Sequence, residues 1–238
     1  MNIEINNLKK VFGGNTAVDI KHCTVADGEI VGLVGNNGAG KTTLFRLMLD
    51  LLDADSGQVM LQPRGADAIN PAMSEEWKRY TGAYIDSSFL IDFLTAEEYF
   101  EFVCKVSGVG KDNLDCMLAE FAPFMNGEIM GQKKYIRDFS AGNKQKIGIM
   151  AALLNRPQLV VLDEPFNFLD PTSQHCLGKM LVEYNRSTGA TILVSSHNLQ
   201  HTVGISTRID LLEHGVVIKS IDNTDRRAEA ELEQYFNL

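Results

Sequence analysis

Gly35-Asn36-Asn37-Gly38-Ala39-Gly40-Lys41-Thr42-Thr43 brings together the residue types that binding a polyphosphate requires, in the spacing G-x-x-x-x-G-K-[ST]. Gly35, Gly38 and Gly40 let the backbone curl until successive N–H groups point inward at an anion. Lys41 reaches for the β- and γ-phosphates, the Thr42 hydroxyl is a ligand for Mg²⁺, and Thr43 adds a second hydroxyl at phosphate distance. A glycine-rich turn with an exposed lysine would use the same residues. The flanks decide between the two. Ile30-Val31-Gly32-Leu33-Val34 is apolar enough for a buried strand, and Leu44, Leu47, Met48 and Leu51 share one face of a helix. Strand, turn and helix start together make a phosphate loop with a helix N-terminus aimed at the ligand.

A second group lies at Leu159-Val160-Val161-Leu162-Asp163-Glu164-Pro165. The apolar run predicts a strand buried on both faces, and ligands of open α/β sheets lie at the C-terminal ends of such strands. Asp163 is therefore expected to face the Mg²⁺ held by Thr42. Glu164 is placed to accept a proton from the water that attacks a γ-phosphate. Phe139-Ser140-Ala141-Gly142-Asn143-Lys144-Gln145-Lys146 opens another helix, so Ser140 and Gly142 offer a second phosphate-binding helix start; taken alone, they would be an ordinary N-cap. Phe12 either covers a small sheet or stacks on a nucleotide base. His197 and His201 are four apart, as zinc ligands on one helix face would be. The Glu of H-E-x-x-H is missing and no third ligand is suggested, so His197 is assigned to a γ-phosphate contact.

These groups need elements to position them. Alternation predicts a strand over residues 2–7, a β-rich run over 17–25 beyond the turn Gly13-Gly14-Asn15, and short strands over 58–62 and 82–85. A short helix is predicted over 72–80, with Trp77 in packing. From 87 to about 139 the character turns helical. Thr95 with Glu98 forms a capping-box pattern, Tyr99, Phe102, Val103 and Val106 form one stripe, and Leu114, Met117, Leu118 and Phe121 form another. Helices over 142–154 and 172–186, strands over 159–162 and 191–195, a hairpin around His214-Gly215 and a terminal helix over 226–236 complete the chain. The expected architecture is α/β: a P-loop NTPase with a mostly parallel sheet, an antiparallel N-terminal β-subdomain and an inserted α-helical subdomain. It reads as one domain over 1–238, with 1–86 and 140–238 as β-subdomain and ATP-binding core, and 87–139 as the helical subdomain.

Composition narrows the classes further. The chain has 238 residues, 45% of them hydrophobic, which suffices for a sizeable core. A formal charge of −9 opposes broad electrostatic binding to nucleic acid or anionic lipid. Cys23, Cys104, Cys116 and Cys176 show no C-x-x-C pairing and read as free thiols in a reducing compartment. No basic, apolar leader opens the chain, and no apolar stretch reaches a membrane span. Direct membrane insertion is therefore not expected.

The content and order of these groups resemble the ATP-binding subunit of an ABC transporter over essentially the whole chain. Ser140-Ala141-Gly142 resembles the family signature Leu-Ser-Gly-Gly-Gln, with Ala141 and Asn143 replacing a Gly and the Gln. Asn167-Phe168-Leu169-Asp170 resembles the loop after the glutamate, Ser195-Ser196-His197 the switch histidine after its strand, and Phe12 the base-stacking aromatic. Asp86 stands where the family usually carries a Gln that links the Mg²⁺ site to the helical subdomain. It can ligate Mg²⁺, but when ionised it donates no hydrogen bond. An acidic residue after Gly82-Ala83-Tyr84-Ile85 is similar to the branch that exports peptide antibiotics. The resemblance implies ATP and Mg²⁺ as ligands, and catalytic roles for Lys41, Glu164 and His197. It also implies a homodimer or heterodimer of ATP-binding subunits that sandwiches two ATP molecules, and a separate transmembrane permease. Such a protein works in the cytoplasm, peripheral on the inner face of the cell membrane. Two other readings keep part of this picture: a soluble ABC-type switch without a transporter, and a small-molecule kinase. The kinase would need an arginine-rich lid, and 87–139 offers only Arg137.

Overall fold

A computed structural model describes residues 1–197, 199–225, 228 and 232, without the side chains of Lys111, Leu199 and Gln200. Two sheets organise the chain. In the first, β1 (Asn2–Phe12) pairs antiparallel with β2 (Asn15–Val25) and with β4 (Ser56–Gln62), in the order β2-β1-β4. The sequence pattern ends the first strand at residue 7. In the structure it runs on to Phe12, because Asn7 takes a left-handed φ of 49° and the pairing with β4 slips between Asn6 and Lys9. That bulge resets the alternation, so residues on either side no longer share one period.

The second sheet has the order β5-β6-β7-β3-β8-β9. It comprises β5 (Thr81–Tyr84), β6 (Leu159–Leu162), β7 (Thr191–Ser196), β3 (Ile30–Val34), β8 (Arg208–Glu213) and β9 (Val216–Asp222). All neighbours pair in parallel except β8 and β9, which form the antiparallel hairpin expected around His214-Gly215. The central strands β3, β6 and β7 are buried at every position. Parallel strands covered on both faces demand such continuous apolar runs.

Helices α1 (Lys41–Met48), α5 (Ala141–Leu153), α6 (Pro171–Thr188) and α7 (Leu199–Ile205) connect the strands. Between β5 and α5 lie α2 (Ala96–Ser107), α3 (Lys111–Glu120) and the single turn α4 (Ala122–Met125), with no strand among them. The capping box at Thr95 is present in both directions, Thr95 Oγ1 accepting from the Glu98 N–H and Glu98 accepting from the Thr95 N–H. The α2 stripe is shifted from its expected register. Ala96, Phe100 and Cys104 are buried, Tyr99 and Val103 flank them, and Phe102 and Val106 are exposed. The predicted stripe chose the larger side chains. The fold instead buries the line Ala96, Phe100 and Cys104, with a small residue at its head.

Three further expectations change. Only a 3₁₀ turn, Glu76–Arg79, forms within 72–80, although Trp77 is buried in packing as expected. Leu51 lies beyond the end of α1 and is exposed, whereas Leu44, Leu47 and Met48 are buried. The terminal helix expected over 226–236 lies outside the described residues except for Ala228 and Leu232, which are buried with Val34, Val203 and Ile209. No helix among the described residues is long and apolar enough to cross a membrane.

Candidate phosphate-binding and catalytic site

The C-terminal ends of β3, β6 and β7 deliver the three sequence groups to one edge of the sheet. Leu33 pairs with Ser195 and Val161 with Leu193, so β3, β6 and β7 run in register and release Gly35, Asp163 and His197 on the same side. After β3 the loop turns into α1, whose first turn has no side-chain cap. Its free N–H groups are thus left to an anion. Gly40 has φ 107°, and a Cβ there would lie 2.3 Å from the Ala17 carbonyl of β2. Only glycine fits. The same approach brings the β1–β2 hairpin, with the half-exposed Phe12 at its end, beside the loop. Gly35 is required for a reason other than curling, since its Cβ would meet the Leu212 carbonyl at 2.2 Å.

Lys41 is buried, and its ammonium is satisfied locally. Nζ donates to the Gly35 carbonyl at 2.6 Å and the Asn36 carbonyl at 3.3 Å, and lies 3.5 Å from Glu164 Oε1. A buried ammonium without such partners would be costly, and phosphate oxygens could take their place. Thr42 Oγ1 donates to Asp163 Oδ2 at 2.5 Å, and Ser195 Oγ donates to Asp163 Oδ1. Burial pushes the Asp163 carboxyl above the ordinary range, against the lowering effect of those two hydroxyls. A cation beside it would reverse that shift. The donors are hard oxygens, a hydroxyl and a carboxylate, and they are few. Among the described residues no group of three His, Cys, Asp or Glu could cage a metal. This donor set fits Mg²⁺, which keeps waters and phosphate oxygens in its shell, better than a metal held by protein alone.

Glu164 adopts a left-handed φ of 46° just after β6. Its N–H donates to Ser195 Oγ at 2.8 Å, and its Oε2 lies 2.8 Å from His197 Nδ1 and accepts from the His197 N–H at 3.3 Å. The carboxylate therefore sits between Lys41 and His197, above the loop. Asp86 leaves the sheet at the same edge, because Tyr84 pairs with Leu162, but its contacts are elsewhere. Arg46 Nη2 lies 3.3 Å from Oδ2, and the Ser88 N–H and hydroxyl both donate to Oδ1. Burial alone would raise the Asp86 pKa; the Ser88 bonds and the Arg46 charge outweigh it and hold the carboxyl low.

Ser140 caps α5, its Oγ accepting from the Asn143 N–H at 3.2 Å. Gly142 is needed where it stands, with the Phe168 carbonyl 2.6 Å from the Cβ it lacks. These residues line a cleft of about 370 Å³ with Glu128, Lys146 and Asp170. Residues 35–39 of the phosphate loop line a different one, of about 110 Å³, with Leu211–His214. No residue is common to the two. His201 stacks on Phe166 at 5.3 Å between ring centroids. Sequence reasoning missed Ser195, whose hydroxyl ties Asp163 to Glu164. A pair of serines ending an apolar strand, just before His197, is its only signal.

Residues 19–167 match the ABC transporter family model. The lantibiotic transport ATP-binding protein SrtF of Streptococcus pyogenes is 30% identical over 99% of this chain and 96% of its own length. The chain belongs to the ABC transporter family. As the loop, the Asp163-Glu164 pair and Ser140 lead one to expect, it is an ATP-binding, ATP-hydrolysing subunit. The methionine import ATP-binding protein MetN of Rhizobium johnstonii is 30% identical over 91% of this chain, which spans 60% of that relative. A structure described as the ATP binding subunit of an ABC transporter superposes with TM-score 0.83 at 27% identity, covering 98% of this chain and 94% of the other. The ATP-binding cassette MJ0796, solved as a dimer in a post-hydrolysis state with ADP and Pi, superposes with TM-score 0.80, covering 92% and 98%. At 21% identity that likeness concerns the fold.

Proposed function

We propose that two copies of this chain, or this chain and a close paralogue, pair head to tail and bind two ATP molecules between them. The observation behind this is the separation of the two anion-binding patches. Residues 35–39 of the loop and the Ser140-Gly142 helix start line different clefts of one molecule. Each patch is half a site. The dimeric state in which MJ0796 was solved supports the same arrangement.

Within a composite site, Gly35, Asn36, Asn37, Gly38, Ala39 and Gly40 direct backbone N–H groups at the phosphates. Lys41 exchanges its carbonyl partners for phosphate oxygens, and Thr43 adds a hydroxyl. Phe12 stacks on the base. Thr42 and Asp163 would hold Mg²⁺, which would supply charge neutralisation when bound. Asp86 offers a further oxygen once its pairing with Arg46 opens. Glu164 accepts the proton of the attacking water, and His197 steadies the carboxylate and contacts the γ-phosphate. Ser140 and Gly142 of the partner close the site, so binding favours the paired state and hydrolysis releases it.

The permease is a separate membrane protein, and the chain works from the cytoplasmic side. An apolar groove lined by Leu51, Tyr84, Phe89, Leu90, Tyr99 and Val103 offers it a docking face. Similarity to SrtF over nearly the whole length supports an antibiotic peptide as the cargo, and the acidic Asp86 after β5 favours export as the direction. The deciding experiment is size-exclusion chromatography with light scattering on Glu164→Gln in Mg-ATP. A stable dimer is expected, and an exclusively monomeric variant that binds ATP would sink the paired site. For the cargo, loss of this chain should sensitise the cell to a lantibiotic-type peptide, and unchanged sensitivity argues against that substrate class.

A further inference from the structure

A buried line of hydrogen bonds runs from Tyr84 on β5 through Gln145 on α5 to the main chain of Glu164. Gln145 is buried, one turn into the helix that Ser140 caps. Its Nε2 donates to the Glu164 carbonyl at 3.1 Å, and its Oε1 accepts from the Tyr84 hydroxyl at 3.0 Å. These directions are forced. A main-chain carbonyl only accepts, so the amide nitrogen must face Glu164, which leaves the oxygen to the phenol and makes the phenol a donor. Burial, with the Asp86 charge adding to it, keeps Tyr84 protonated far above the usual tyrosine range. The ring rests directly on α5, occupying the space where a Cβ of Gly148 would lie 2.0 Å away.

Glu164 needs such support. A non-glycine residue stays left-handed only where its peptide groups are tied down. Its N–H is held by Ser195 Oγ, and its carbonyl by the Asn167 N–H at 3.1 Å and by Gln145. The carboxylate that results points between Lys41 and His197. We propose that Gln145 is a positioning residue for ATP hydrolysis, fixing the Glu164 peptide from the helix that begins at Ser140 so that the carboxylate faces the phosphate site. The role rests on Glu164 being the general base. It also means that the helix start closing on one ATP is bonded, one turn later, to the base that serves the other.

The test is steady-state Mg-ATPase kinetics on the whole chain with Gln145→Leu, Tyr84→Phe, Glu164→Gln and the pairwise doubles. Gln145→Leu keeps the volume and removes both bonds. It should lower kcat at least about tenfold, as misplacing a reacting group does. KM for ATP and affinity for a fluorescent ATP analogue should stay within about twofold, because nothing that binds nucleotide is removed. In the Glu164→Gln background the same substitution should change the residual rate less than about twofold, since no base is left to aim. Tyr84→Phe retains the ring and should lower kcat by a smaller factor at unchanged KM. It stands in for Gln145→Leu if circular dichroism shows that variant unfolded. Wild-type kcat in a folded Gln145→Leu or Tyr84→Phe, a loss that shifts KM equally, or a loss fully retained on Glu164→Gln overturns the role. Full activity in Glu164→Gln itself would instead remove the base assignment, a result that the single variants alone could not produce.

Discussion

Lys41 and Glu164 face each other across the site at 3.5 Å, and each is held by groups that a bound nucleotide would displace or use. Replacing Lys41 by alanine should therefore abolish turnover, with ATP affinity measured by calorimetry falling alongside; wild-type rates would refute the loop assignment. Ser195 has a less obvious weight. Its hydroxyl donates to Asp163 and accepts from the Glu164 N–H, so it would orient the proposed Mg²⁺ ligand and the proposed base together. Partners of this kind tune metal affinity by about 10–100-fold. Ser195→Ala should raise the Mg²⁺ concentration for half-maximal ATPase by a factor in that range. A Mg²⁺ titration superimposable on wild type would show that the hydroxyl is only packing.

Elements rather than residues set the stability of the helical segment. Thr95→Ala removes a complete capping box and should cost about 1 kcal/mol in denaturant unfolding. Phe100→Ala empties a fully buried position and should cost about 3–5 kcal/mol. If Phe102→Ala cost as much, the register of α2 given above would be wrong, since Phe102 is exposed. Helix α6 starts on Asp170, whose carboxylate accepts from the Ser173 hydroxyl and N–H, and these bonds hold its pKa below the ordinary range. A depressed folded-state pKa means that the stabilisation is present above the unfolded-state carboxylate pKa and is lost as pH falls through the folded one. The thermal midpoint of Asp170→Ala should accordingly trail wild type at pH 7 and converge with it in acid. A gap independent of pH would assign the loss to packing instead.

At the scale of the molecule, what matters is that the two anion patches belong to different clefts. A head-to-tail pair makes a prediction that no monomer can satisfy. Chains carrying Lys41→Ala are inactive in the loop, and chains carrying Gly142→Asp are inactive in the helix start, so each alone should be silent. Mixed, they form a dimer in which both lesions fall in one composite site and the other site is intact. Turnover should reappear on mixing, and a mixture as silent as its components would rule the arrangement out.

Sequence alone determined the chemistry, because phosphate binding rests on local features. A loop that needs glycines beside a lysine and a hydroxyl, flanked by a strand and a helix, is written in consecutive residues, as is the acidic pair that ends an apolar run. Strand order was legible only as alternation, and the β1 bulge at Asn7 was hidden because it breaks the period that reveals strands. The face of α2 was decided in three dimensions, where Ala96, Phe100 and Cys104 are buried and the larger Phe102 is left exposed. Tertiary structure alone joined Ser195, Gln145 and Tyr84 to Glu164, for hydrogen bonds between residues separated by 19 to 61 positions leave no pattern along the chain.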